Sequence, residues 1–198
     1  YYYDGAMRTV KIEYADGSQE TKAYTAEGFA ASETDVLGVT TTYTYDEVGR
    51  MLSAKRGGYT TAFTYNEAGQ PTGMTDALGR TTRLEYDGNG NRTAVTDALG
   101  GVTRYEYDGL GRMTKQTDAA GNAVLYEYDG VLVTAVTDAL GQTWRYTYDA
   151  MGRPLTTTDP LGHTSSVTYD VLGRTTAETA ADGGQISYTY DAAGHVLS

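Results

Sequence analysis

The sequence contains no cysteine, which removes a disulfide framework and thiolate metal ligands and is compatible with either redox compartment. Histidine is almost as scarce: the two present are His163, beside a turn glycine, and His195, in a slot that elsewhere holds arginine. Neither stands in a context that suggests a general base, no serine is set in a triad pattern, and the 26 acidic residues fall in turns or on strand exteriors, so catalysis has no foothold. The reading is therefore of a non-enzyme without a cofactor. Basic residues are outnumbered, 15 against 26, giving a net charge of -11; the resulting field repels phosphates and argues against nucleic acid or an anionic membrane as a partner. No apolar run approaches the roughly 18 residues of a membrane span, and no signal peptide opens the chain. The chain begins with Tyr1, inside a recurring motif, so a segment of a longer protein is expected.

Tyrosine dominates what is present. There are 19 Tyr against 2 Phe and 1 Trp, with threonine abundant and 25 Gly against 3 Pro. Aromatic and β-branched side chains suit a pleated, half-buried surface, and glycine supplies turns that need positive φ. An all-β fold follows.

The tyrosines are periodic. Tyr-Asp pairs stand at Tyr3-Asp4, Tyr45-Asp46, Tyr86-Asp87, Tyr107-Asp108, Tyr128-Asp129, Tyr148-Asp149, Tyr169-Asp170 and Tyr190-Asp191, with Tyr24-Thr25 and Tyr65-Asn66 as degenerate copies, at intervals of 20 or 21 residues. A glycine precedes each tyrosine from Tyr24 onward by seven residues: Gly17, Gly38, Gly58, Gly79, Gly100, Gly121, Gly141, Gly162 and Gly183. A fixed period of this size marks a unit that cannot bury its face alone and stacks on its neighbours.

Each unit reads as two strands and two turns. In one copy Arg112 to Thr117 is a strand, Asp118-Ala119-Ala120-Gly121 a turn and Asn122 to Tyr128 the next strand. The turns share the form Asp-x-x-Gly, as at Asp46 to Gly49, Asp76 to Gly79, Asp97 to Gly100, Asp108 to Gly111, Asp149 to Gly152 and Asp170 to Gly173. Aspartate accepts backbone N–H groups two residues on, and glycine takes the left-handed residue that returns the chain into a hairpin. Short connections make the strands antiparallel neighbours. The two short copies lose their residue in a turn: Asp129-Gly130 suits a two-residue type I′ turn, and Gly57-Gly58 offers a similar one. Along the strands Val124, Tyr126 and Tyr128 share one face while Leu125 and Glu127 take the other. The same slots hold Tyr43 and Tyr45, Tyr105 and Tyr107, Tyr146 and Tyr148, and Tyr188 and Tyr190, so a double row of rings stacking from copy to copy is expected to supply the cohesion.

Tyr43-Thr44-Tyr45-Asp46-Glu47-Val48-Gly49-Arg50 and Tyr105-Glu106-Tyr107-Asp108-Gly109-Leu110-Gly111-Arg112 resemble the YD repeat, also called the RHS repeat, and the resemblance covers essentially the whole chain. Family members are large bacterial secreted or surface proteins, among them polymorphic toxins and toxin-complex components, together with the animal teneurins. The resemblance implies a β-sheet that spirals into a shell, which in the toxins encloses an effector, and a secreted or cell-surface location. The arginine after the turn glycine is kept at Arg50, Arg112, Arg153 and Arg174, but is Gln70, Asn91 and His195 in other copies, and Val131-Leu132 lacks the glycine. Nothing in the chain resembles the family's core motif or a C-terminal toxin.

Residues 1–198 are thus read as one array of about nine two-stranded antiparallel units forming a twisted, curling sheet, with no separate effector domain. Expected partners are the remainder of its own longer chain, an encapsulated effector, and a second copy through unpaired strand edges. Two other uses stay open. The aspartate ladders, one beginning Asp46, Asp87, Asp108 and the other running Asp35, Asp76, Asp97, Asp118, Asp138, Asp159, offer oxygens to Ca²⁺, against the simpler reading that each caps its own turn. The tyrosine face could recognise a glycan or a surface protein, which would make the chain an adhesion module in place of a scaffold.

Overall fold

The computed structural model describes residues 1–197 and contains nineteen strands and no helix among them. The chain divides into two compact units, residues 1–102 and 103–198. The first holds β1 (Tyr2–Tyr3), β2 (Thr9–Glu13), β3 (Gln19–Tyr24), β4 (Ala30–Thr34), β5 (Thr40–Tyr45), β6 (Met51–Arg56), β7 (Tyr59–Tyr65), β8 (Pro71–Thr75), β9 (Thr81–Tyr86) and β10 (Arg92–Thr96). Within it each strand pairs antiparallel with its neighbours in sequence. The second is built from β11 (Val102–Tyr107), β12 (Met113–Thr117), β13 (Ala123–Asp129), β14 (Leu132–Thr137), β15 (Thr143–Tyr148), β16 (Pro154–Thr158), β17 (Thr164–Tyr169), β18 (Thr175–Thr179) and β19 (Gln185–Ser187), paired in the same way, and ends in an isolated bridge between Tyr190 and Val196.

Within either unit no described strand touches any but its sequence neighbours, so each unit is an open, uncurled meander. Twist accumulates along a meander, but without a strand to close on it leaves the strip open. In each unit the hairpins introduced by Tyr-Asp lie at one edge and those introduced by Thr-Asp at the other, because the strand direction alternates.

A single layer has almost no interior. Among the described residues only Gly73, Ala94 and Ala135 are buried. All three occupy one repeat position, opposite Thr64, Glu85 and Glu127 respectively. A small residue there lets the partner strand's side chain cover it: Thr64 Oγ1 would stand 2.6 Å from a Cβ at Gly73. Along the strands that end in tyrosine the tyrosine face is half-buried and the opposite face exposed, as in β5, where Tyr43 and Tyr45 are partly covered and Thr42 and Thr44 open. The alternation read from the sequence is therefore the alternation of the sheet.

The register holds a feature that the alternation did not reveal. Across the Thr-Asp hairpins the pairing is regular, as in Lys115↔Leu125, Gln116↔Val124 and Thr117↔Ala123. Across the Tyr-Asp hairpins it slips by one: Glu106 pairs with Lys115 but Tyr107 with Met113, leaving Thr114 as a bulge. The same slip follows Tyr24, Tyr45, Tyr65, Tyr86, Tyr128, Tyr148 and Tyr169. One extra residue on one strand bends it and re-aims the side chains beyond.

Candidate functional site

Both classes of hairpin are built on one loop. At Asp108 the carboxylate Oδ1 accepts the N–H groups of Leu110 and Arg112 at 2.9 and 3.0 Å. The Gly111 N–H reaches the Asp108 carbonyl and the Asp108 N–H the Arg112 carbonyl, both at 3.0 Å. Gly111 has φ +78°, a conformation that a side chain would strain. The pattern is a type I turn followed by a left-handed glycine. It recurs at Asp46-Gly49, Asp87-Gly90, Asp149-Gly152, Asp170-Gly173 and Asp191-Gly194, and at Asp76-Gly79, Asp97-Gly100, Asp118-Gly121, Asp138-Gly141 and Asp159-Gly162. The aspartates of both ladders thus cap their own turns.

The two short turns differ from the expectation. Gly130 and Gly57 have φ +56° and +59°, while Val131 and Gly58 have no positive φ. A turn with positive φ at the first central residue alone is type II′, and type I′ would need it at both. Asp129 accordingly lies inside β13, paired with Leu132, and caps no loop. Gly58 shares its repeat position with Gly79 but not its conformation.

The second carboxylate oxygen holds the residue after the left-handed position, which is a glycine in every such loop but the first, where Met7 takes φ +61°. Arg8, Arg50, Arg112, Arg153 and Arg174 each give Nε to Oδ2 of Asp4, Asp46, Asp108, Asp149 and Asp170 at 2.6–2.7 Å. Arg112's side-chain hydrogen bond, aided by the loop N–H groups and opposed by partial desolvation, holds the Asp108 carboxyl below its ordinary value. For Asp149 the Arg153 backbone N–H contributes most to the same downward shift.

Each guanidinium, so anchored, lies over the tyrosine of the next copy. Arg8 stands 4.5 Å from the Tyr24 ring centre, Arg50 4.9 Å from Tyr65, Arg112 4.8 Å from Tyr128, Arg153 4.6 Å from Tyr169 and Arg174 4.4 Å from Tyr190. Cation–π contact at this range is worth about 0.5–1 kcal/mol where exposed and more where desolvated. The tyrosine hydroxyl then reaches back one copy: Tyr128 donates to the Met113 carbonyl at 2.7 Å, Tyr148 to Val133 at 2.8 Å and Tyr45 to Ala30 at 2.9 Å. Met113 is the residue that the bulge sets opposite Tyr107, so the bulge presents the acceptor.

This joint replaces the ring-on-ring cohesion expected from the sequence. One ring pair is described, Phe29 with Tyr45 at 5.1 Å, and Phe29 stands where other copies have the arginine. Two other departures, Gln70 and Leu132, fill the same space. Gln70 gives Nε2 to the Gly90 carbonyl at 2.9 Å, Leu132 packs against Gly152, and Asn91 reaches only its own Asp87 at 2.9 Å. Sequence reasoning marked the arginine after the turn glycine but missed its contact with the next tyrosine. The signal was the constant spacing, since each arginine precedes that tyrosine by 15 or 16 residues.

A model of the RHS repeat matches residues 24–61, 53–81, 65–102, 86–123, 126–164 and 169–198. The chain belongs to the RHS repeat family. Among solved structures, the crystal structure of TcdB2-TccC3-TEV is similar to this RHS chain with a TM-score of 0.66 at 19% identity, over 97% of this chain and 12% of that one. The crystal structure of TcdB2-TccC3 is similar with a TM-score of 0.65 at 20% identity, again over 97% of this chain and 12% of that one. The RHS array described here therefore spans about an eighth of either chain, and at this identity the likeness is one of fold. No curated protein matches the chain. In five copies of this RHS array an aspartate and the arginine four residues on form a joint with the next tyrosine.

Proposed function

We propose that the chain is a structural scaffold, a segment of the wall of an RHS shell in a secreted or cell-surface protein, and that residues 1–198 form one array within a longer polypeptide whose wall encloses an effector. The observation that carries this reading is the joint. The chemically distinctive residues, aspartate, arginine and tyrosine, hold one copy to the next and leave no convergent set of groups facing a substrate. The reading has no catalytic step and no cofactor. Likeness of fold to TcdB2-TccC3 supports it, as does the recurrence of the RHS repeat over most of the chain. No separate feature favours the adhesion reading.

The test is limited proteolysis of the parent protein. Sequence beyond the array is expected to resist protease while the wall is intact and to be cut once the wall is opened by denaturant. Cleavage of that sequence at the same rate in both states would sink the shell reading, and saturable binding of the array to a glycan would favour adhesion.

A further inference from the structure

The short turn Gly57-Gly58 leaves a gap at the Thr-Asp edge of the first unit. The loops on either side, Asp35 to Gly38 and Asp76 to Gly79, follow β4 and β8, four strands apart. At about 4.8 Å per strand the gap between them is roughly 19 Å wide, room for one more loop. A cavity of about 490 Å³ occupies it, lined by Val39, Ala54, Tyr59 and Ala77 and by Arg56. The lining is mostly apolar, and the Tyr59 ring is largely exposed. Arg56 pairs through one nitrogen with Asp35 and leaves more than half of its side chain in solvent. The gap is an apolar notch with a cation at its rim.

The Thr-Asp hairpins of both units carry apolar tips. Leucine stands at the third loop position in Leu37, Leu78, Leu99, Leu140 and Leu161, and the most exposed of these, Leu99, is 95% accessible. The turn does not require leucine there; polar residues satisfy the same geometry. The Leu99 loop differs from the other leucine loops in the residue after its glycine as well. Its aspartate, Asp97, caps the turn with Oδ1, but the slot that holds Arg80 or His163 in sister loops holds Gly101. No side chain of its own loop can therefore reach Asp97's second oxygen.

We infer that the notch at Gly57-Gly58 receives the Asp97-Ala98-Leu99-Gly100 loop of a second copy of this chain, with Leu99 entering between Tyr59 and Ala77 and Asp97 facing Arg56. Shape and charge agree: an apolar tip with an uncompensated carboxylate meets an apolar notch with a half-exposed guanidinium. Knob and notch are both on the first unit, so two copies can satisfy each other reciprocally. The contact uses hairpin tips and not the unpaired strand edges, and it does not depend on the shell reading.

Sedimentation velocity across a concentration series tests it, with circular dichroism as a check that each variant keeps its strands. The wild type is expected to associate, and Leu99→Asn or Ala77→Trp to weaken association at least tenfold, while Leu161→Asn, whose Asp159 is already paired with His163, leaves it unchanged. Arg56→Gln is expected to weaken association without abolishing it. A wild type that stays monomeric throughout, association indifferent to Leu99→Asn, or equal loss with Leu161→Asn would each overturn the inference.

Discussion

Most hairpins at the two edges of each unit use the same five-residue loop, yet the arginine–tyrosine joint between copies belongs to those introduced by Tyr-Asp. At the Thr-Asp hairpins the register is regular, the strands begin with threonine pairs such as Thr75 with Thr81 at 2.9 Å, and the turn glycines Gly79, Gly100, Gly121 and Gly141 have open space where a Cβ would go. At the Tyr-Asp hairpins the register slips, and at Gly28, Gly49, Gly90 and Gly173 the arginine or its replacement crosses to the next loop and crowds its glycine, while Gly111 and Gly194 keep open space. A Cβ at Gly28 would meet Arg8 at 3.1 Å, one at Gly173 would meet Arg153 at 3.0 Å, and one at Gly49 would meet the Phe29 ring at 2.3 Å. Identical turn chemistry thus serves two purposes. One edge reverses the chain and adds the Arg56–Asp35 pair between copies, whereas the other carries the recurring arginine–tyrosine joint.

The contrast is most easily broken at the glycines. Gly79→Ala meets only the strain of its positive φ, which is expected to cost about 1–2 kcal/mol. Gly49→Ala meets that strain and must also displace Phe29 from its stack on Tyr45, adding roughly 1–3 kcal/mol of overpacking. Urea melts of the two variants compare them directly, and equal losses would show that the tyrosine-side glycine carries no packing role.

A smaller difference is expected between arginines. Arg153 and Arg80 both pair with the aspartate four residues earlier, but Arg153 also covers Tyr169, while Arg80 is 61% exposed. Arg153→Ala should lose about 1–2 kcal/mol, from the cation–π contact and a charge-assisted hydrogen bond, and Arg80→Ala at most about 0.5 kcal/mol. Similar thermal midpoints for the two would remove the joint from the account of stability.

The smallest effect is on acid stability. Asp108 is held below its ordinary value of 3.8, first by Arg112's side chain. A carboxylate with a lowered folded pKa contributes stability that is present above its unfolded value and is lost as pH falls through the folded value. Unfolding should therefore begin only below about pH 4. Arg112→Ala should raise the acid midpoint of the second unit, and an unchanged midpoint followed by tyrosine fluorescence would contradict this.

Much of the molecule was legible because its signals are local. Asp76, Leu78 and Gly79 lie within one turn, so composition and spacing predict the loop, and Tyr43 and Tyr45 share a face by the geometry of any strand. The bulge at Thr114 was not legible, because alternation along one strand says nothing about which residue stands opposite. Ring stacking was expected for a related reason. Tyr107 and Tyr128 are equivalent in the repeat, and equivalence suggests contact, but Arg112 fills the space over the Tyr128 ring. The type of the Gly130 turn turned on a single φ angle at Val131, which a Gly-Val dipeptide does not announce.

The sequence by itself determined the all-β class, the period, the positions of the turns and the face that each side chain takes, since these depend on bonds and hydrogen bonds within a few residues. Tertiary structure alone decided how copies are joined. That depends on the cross-strand register, where a one-residue slip after each tyrosine turns a carbonyl toward the next tyrosine hydroxyl and brings an arginine over a ring 15 or 16 residues further along the chain.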